Sequence, residues 1–198
     1  MPRKKAWSSS SRTRSPAATS SARPSASELA AARAKTLRDV IAPGLKVLFC
    51  GINPGLYSAA TGNHFARPGN RFWPALHAAG FTPRLLHPSE KDLLLAAGYG
   101  LTNLVSRASA AADELAPSEF VAGRKRLAAK VRRYRPRLIA FLGMGAYRHA
   151  FAAPDAPLGE QPERFEGARV WVLPSPSGLN AAYQLDALVR LLRRLKRA

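Results

Sequence analysis

The chain has 198 residues and 46% hydrophobic content, enough for one globular domain with a real core and some chain to spare. Its 31 Lys and Arg against 12 Asp and Glu leave a net charge of +19, which points to nucleic acid as partner; a genome rich in Arg and Ala codons is the plainer source of the same excess. The single cysteine, Cys50, excludes an internal disulfide framework and any four-cysteine metal site, and His64, His77, His87 and His149 show no ligand spacing.

No apolar run nears the roughly 20 residues that cross a bilayer. The expectation is therefore a monomeric, cytoplasmic protein that needs no metal or cofactor and has no membrane span. Residues 1–35 are rich in Ser, Ala, Arg and Pro and carry one acid, Glu28; such a segment buries too little apolar surface to order itself. It reads as a basic arm for DNA phosphates or, being acid-poor, as an organelle transit peptide.

From Thr36 onward the pattern alternates between strand and helix. Leu45–Gly51 is a strand that enters a loop rich in glycine and proline, spanning 51–70. Helices are expected over 70–79 and 89–97, the second with Ser89 as N-cap and Asp92 in the capping-box place. A short strand covers 101–105. A basic amphipathic helix follows over 117–134, stopped ahead of Pro136. Leu138–Leu142 is a buried strand, and Val170–Leu173 is another, ending in the loop 174–181. The chain closes with an amphipathic helix over 181–196, whose Leu185, Leu188, Leu192 and Leu195 share one face. This alternation predicts an α/β three-layer sandwich with a central, mostly parallel sheet. Ligands in that architecture bind beyond the carboxyl ends of the strands, where the loops 51–70 and 174–181 lie.

The first loop reads Gly51-Ile52-Asn53-Pro54-Gly55-Leu56 and then Asn63-His64-Phe65-Ala66-Arg67-Pro68-Gly69-Asn70-Arg71-Phe72-Trp73. The second reads Leu173-Pro174-Ser175-Pro176-Ser177-Gly178-Leu179-Asn180. Together they resemble the two active-site motifs of the mismatch-specific uracil/thymine glycosylases, the Mug and TDG branch of the uracil-DNA glycosylase superfamily. The resemblance runs over most of 36–196 and makes 36–198 the glycosylase domain. It implies an enzyme that flips uracil, or a related mispaired pyrimidine, out of duplex DNA and hydrolyses its N-glycosidic bond. G·U pairs are the preferred substrate it implies. With no lysine in either motif to form a Schiff base, the expected product is an intact abasic strand.

Carried over residue by residue, the resemblance gives Asn53 the attacking water and Phe65 the stack on the flipped base. Gly51, Ile52, Pro54, Ser58 and Ser175 join the base pocket, with backbone groups of Ile52 and Phe65 reading the pyrimidine edge. Leu179 is the wedge that fills the vacated stack, flanked by Ser177, Gly178 and Asn180. Arg67, Arg71 and Arg148 are expected phosphate contacts. Two departures stand out: Ser175 and Ala181 replace the asparagine and arginine usual in the second motif. They keep open a non-catalytic DNA-binding relative as the alternative, and they leave open whether Glu90 or Asp92 supplements Asn53. A nucleotide-binding protein for small substrates is disfavoured, since neither a Walker nor a G-x-G-x-x-G loop occurs.

Overall fold

The computed structural model describes residues 23–198; residues 1–22 of the basic arm expected over 1–35 lie outside the described residues. Five strands form one sheet: β1 (Val47–Gly51), β2 (Tyr99–Asn103), β3 (Leu138–Leu142), β4 (Gly159–Phe165) and β5 (Ala168–Leu173). Their order is β2-β1-β3-β5-β4, parallel throughout except for β4, which runs antiparallel to β5 at one edge. The mostly parallel three-layer sandwich is as expected.

Every residue of β1, β2 and β3 is buried, because helices cover both faces. Side chains alternate between the two layers. Val47 and Phe49 face the layer of α3 (Phe72–Ala78), α4 (Lys91–Ala96) and α7 (Leu185–Arg197), whereas Leu48 and Cys50 face α5 (Pro117–Tyr134) and α6 (Met144–Phe151). α7 buries Leu188, Leu192 and Leu195 against the sheet, the leucine stripe read from the sequence.

Several elements differ from expectation for identifiable reasons. β4 has no apolar alternation to betray it, since Gly159-Glu160-Gln161-Pro162-Glu163-Arg164-Phe165 is mostly exposed. Proline and charge are what an edge strand tolerates. Glu166 and Gly167 both adopt positive φ, 50° and 86°, the turn that joins a tight hairpin. The capping box expected at Ser89 and Asp92 lies two residues earlier: His87 caps a 3-10 turn over Pro88–Glu90, and the Glu90 side chain returns to the His87 N–H at 2.8 Å. Pro88 starts the turn there because its fixed φ suits a first helical position. α7 begins at Leu185, four residues past the expected 181.

α2 (Leu56–Thr61) interrupts what reads as continuous loop. The N-terminal boundary also moves. Within the segment expected to lack order, α1 (Ala26–Ala31) and a 3-10 turn at Ala32–Ala34 form. A reciprocal capping box between Ser25 and Glu28 starts them, and Ala32 is buried against Ala59 and Ala108. A cluster of alanines, with Leu56 of α2 partly buried against it, leaves no apolar stripe in the segment for a periodicity argument to find.

Candidate active site

A cavity of about 440 Å³ opens at the carboxyl ends of β1, β2 and β3, where the strand order reverses direction between β1 and β3. It draws together both motifs: Ile52, Asn53, Pro54, Ser58, Phe65 and Arg67 from the first, and Ser175, Ser177, Leu179 and Asn180 from the second.

Asn53 is held by its amide nitrogen. Nδ2 donates to Ser109 Oγ at 2.7 Å, to the Arg107 carbonyl at 3.0 Å and to the Pro54 carbonyl at 3.3 Å. Two of these partners can only accept, so the amide has one possible orientation. Its Oδ1 is left without a partner among the described residues and is free to accept a proton-bearing ligand. Ser109 donates its own hydroxyl to the Ala111 carbonyl at 2.6 Å, which commits its oxygen to accept from Asn53. Ser109 reaches Asn53 because the chain beyond β2 runs alongside the first loop, with Leu104, Val105 and Ser109 N–H groups bonded to the carbonyls of Gly51, Ile52 and Pro54.

Phe65 stacks on Phe72 with ring centroids 4.1 Å apart and lines the cavity. Its backbone is left-handed, φ 54°, a conformation costing roughly 1–2 kcal/mol in a non-glycine residue. Such strain persists where the surroundings over-determine it and is concentrated at functional sites. The surroundings are visible: Ser58 Oγ accepts from the Ala66 N–H at 3.1 Å, and Trp73 Nε1 donates to the His64 carbonyl at 3.0 Å. Buried His64 donates from Nε2 to the Arg38 carbonyl at 2.9 Å, and burial pushes its pKa down, keeping it neutral.

Asn103 was missed by sequence reasoning. It ends β2, is nearly buried and lines the cavity, and no hydrogen bond engages its carboxamide among the described residues. Gly51 explains the fit. A Cβ built there would lie 2.6 Å from Asn103 Oδ1 and 3.2 Å from the Phe65 ring. Gly51→Ala is expected to lower activity about tenfold while leaving stability nearly unchanged, since the flexible end of Asn103 yields but a small misplacement of site groups is costly. Rate and thermal midpoint measured on the same preparation test this. The one signal available in the sequence was a polar residue ending a strand beside the first motif.

The second loop is tied to the first by Arg71. Its NH1 donates to the carbonyls of Ser177, Asn180 and Tyr183 at 3.0–3.1 Å, and NH2 to Gln184 Oε1 at 3.0 Å. The expected phosphate contact is thus a loop clamp, because the free carbonyls of an irregular turn need donors as much as DNA does. Gly178 packs so closely that a Cβ would stand 2.7 Å from the Gly69 carbonyl. Leu179, 67% exposed, projects at the cavity rim, and Asn180 Nδ2 closes the turn onto the Ser175 carbonyl at 3.0 Å. The Ser175 hydroxyl accepts only a long 3.4 Å bond from the Ser177 N–H. Arg67 is exposed at the rim. Arg148 lies elsewhere, bonded to the Ala156 carbonyl.

Neither Glu90 nor Asp92 lines the cavity. Glu90 is engaged by Arg84 at 2.7 Å, which holds its carboxyl at about 2. The carboxylate on the cavity wall is Asp113. Among the described residues there is no group of three or more His, Cys, Asp or Glu that would hold a metal ion, and no helix long and apolar enough to cross a membrane.

The fold has a solved counterpart in the solution NMR structure of a candidate uracil DNA glycosylase from Methanosarcina acetivorans. It superposes with a TM-score of 0.55 at 20% identity, over 82% of this chain and 98% of that one. The family model of the uracil DNA glycosylase superfamily matches residues 38–196, spanning both loops and every strand. The chain belongs to the uracil DNA glycosylase superfamily.

Proposed function

We propose that the protein is a monofunctional, mismatch-directed uracil-DNA glycosylase of the Mug and TDG branch, acting on G·U pairs in duplex DNA. The observation that carries this reading is the fixed carboxamide of Asn53, which lines a cavity together with Phe65 and Asn103 and whose Oδ1 has no partner among the described residues.

A flipped uracil stacks on Phe65, a contact worth roughly 1–3 kcal/mol. Extrusion costs a few kcal/mol and least for a mispaired base, which favours G·U over A·U. Asn53 Oδ1 accepts from a water beneath the sugar. That water forms the new C1′–O bond as the C1′–N1 bond breaks, its proton passes to solvent, and uracil departs as the N1 anion. An amide is a weak base, so the rate depends on stabilising the departing anion. The second motif supplies Ser175 where an asparagine is usual. The carboxamide of Asn103 enters the same cavity from β2 and offers both a donor and an acceptor to the pyrimidine edge. Leu179 fills the vacated stack.

The test is a cleavage assay on labelled duplexes with one central G·U pair, beside A·U, G·T and single-stranded U, with alkali added to cut abasic sites. Alkali-labile product that forms fastest from G·U is expected. Tight duplex binding without product from any substrate would sink the enzyme and leave a DNA-binding protein.

A further inference from the structure

The matched family segment begins at residue 38, so α1 and the 3-10 turn after it stand outside it. These added residues nevertheless connect to the catalytic amide by an unbroken set of contacts. Arg33 NH1 donates to Glu114 Oε2 at 2.8 Å. The other oxygen of Glu114 accepts from the N–H groups of Ala110 and Ala111 at 3.1 and 3.2 Å. Ala111 in turn accepts the Ser109 hydroxyl, and Ser109 accepts from Asn53 Nδ2. Burial of Ala32 against Ala59 and Ala108 seats the same segment beside that loop. Farther along, the Arg38 carbonyl holds His64, next to Phe65, and Asp39 accepts from Thr102, next to Asn103, at 2.7 Å.

We propose that residues 25–39 form a strap that positions the catalytic site, with Arg33 and Glu114 as positioning residues for Asn53. Neither touches the cavity's reacting groups; they fix the loop that fixes Ser109. The strap's catalytic effect rests on the glycosylase reading above, while its mechanical effect on the loop does not.

Both are measured in the full-length chain, by single-turnover cleavage of the G·U duplex at saturating enzyme, by duplex Kd, and by hydrogen exchange at the amides of Ala110 and Ala111. Arg33→Ala is expected to slow cleavage about fivefold, the upper range for one ion pair expressed in the barrier. Kd stays unchanged, and both amides exchange faster. Glu114→Ala is expected to slow cleavage about tenfold, since it removes the acceptor as well as the charge, and Glu114→Gln restores most of that loss. Adding Arg33→Ala to Glu114→Ala changes nothing further, as coupled residues require. Unchanged exchange in Arg33→Ala overturns the strap. An unchanged rate overturns its catalytic role, and a raised Kd at unchanged saturated rate makes Arg33 a phosphate contact instead. If the wild type cleaves nothing, the enzyme reading fails while the exchange comparison still decides the strap.

Discussion

Asn53→Ala is expected to lower the single-turnover rate of uracil release from a G·U duplex by about a thousandfold, the scale of losing one preorganised polar group that acts at the reacting atoms. Duplex Kd is expected to move less than about threefold, because the amide spends its donors on Ser109, Arg107 and Pro54 and makes no contact that a ground-state complex needs. Ser109→Ala separates orientation from presence. It leaves Asn53 in place but removes the 2.7 Å bond that directs it, and a loss of about tenfold in the same assay is expected. A thousandfold loss at Ser109, or retention of most of the rate at Asn53, would transfer the water to another group. Asp113, the carboxylate on the cavity wall, would then be the next target.

Arg71→Ala is expected to act on the second loop as a whole. The carbonyls of Asn180 and Tyr183 lose their donor together, that of Ser177 keeps only the Asn180 N–H at 3.0 Å, and those that water cannot reach remain unpaired. A cost of about 2–3 kcal/mol follows, read as a fall of roughly 5–10 °C in thermal midpoint. With the turn released, Leu179 is no longer presented at the rim, and binding to a duplex with an uncleavable abasic analogue is expected to weaken about tenfold. Arg71→Lys recovers little, since a single ammonium lacks the planar fork that spans several acceptors at once. Had Arg71 been a phosphate contact, its removal would flatten the salt dependence of binding and leave the midpoint unchanged. The two readings therefore separate on one melting curve and one salt titration.

The same arginine shows where sequence reasoning stops. Its position in Asn70-Arg71-Phe72 is legible, and so is a positive charge near a loop that the motif resemblance assigns to DNA. Whether that charge points outward or inward depends on 177, 180 and 183 lying within reach of residue 71, which only the folded chain decides. Asn103 is a similar case. Little in Tyr99-Gly100-Leu101-Thr102-Asn103 marks it beyond its being a polar residue after an apolar strand, and its pairing register with Gly51 is what carries it into the cavity.

Local chemistry determined a good deal by itself. Continuous apolar runs at 47–50 and 138–142 identified fully buried parallel strands, because a sheet covered on both faces has no polar side to show. The 3.6-residue leucine spacing identified α7, and Pro117 and Pro136 bracketed α5. The two motifs, each at a strand end, placed the cavity. What the tertiary structure decided rests on long-range contact. β4 is a strand only because β5 pairs with it, and α1 is ordered where Ala32 finds Ala59 and Ala108. Asn53 acquires one orientation only when Ser109, 56 positions away, comes alongside. Periodicity and propensity act over a few residues and are written in the chain. Hydrogen-bond satisfaction at the site is settled between segments far apart in sequence, after the sheet has brought their ends together.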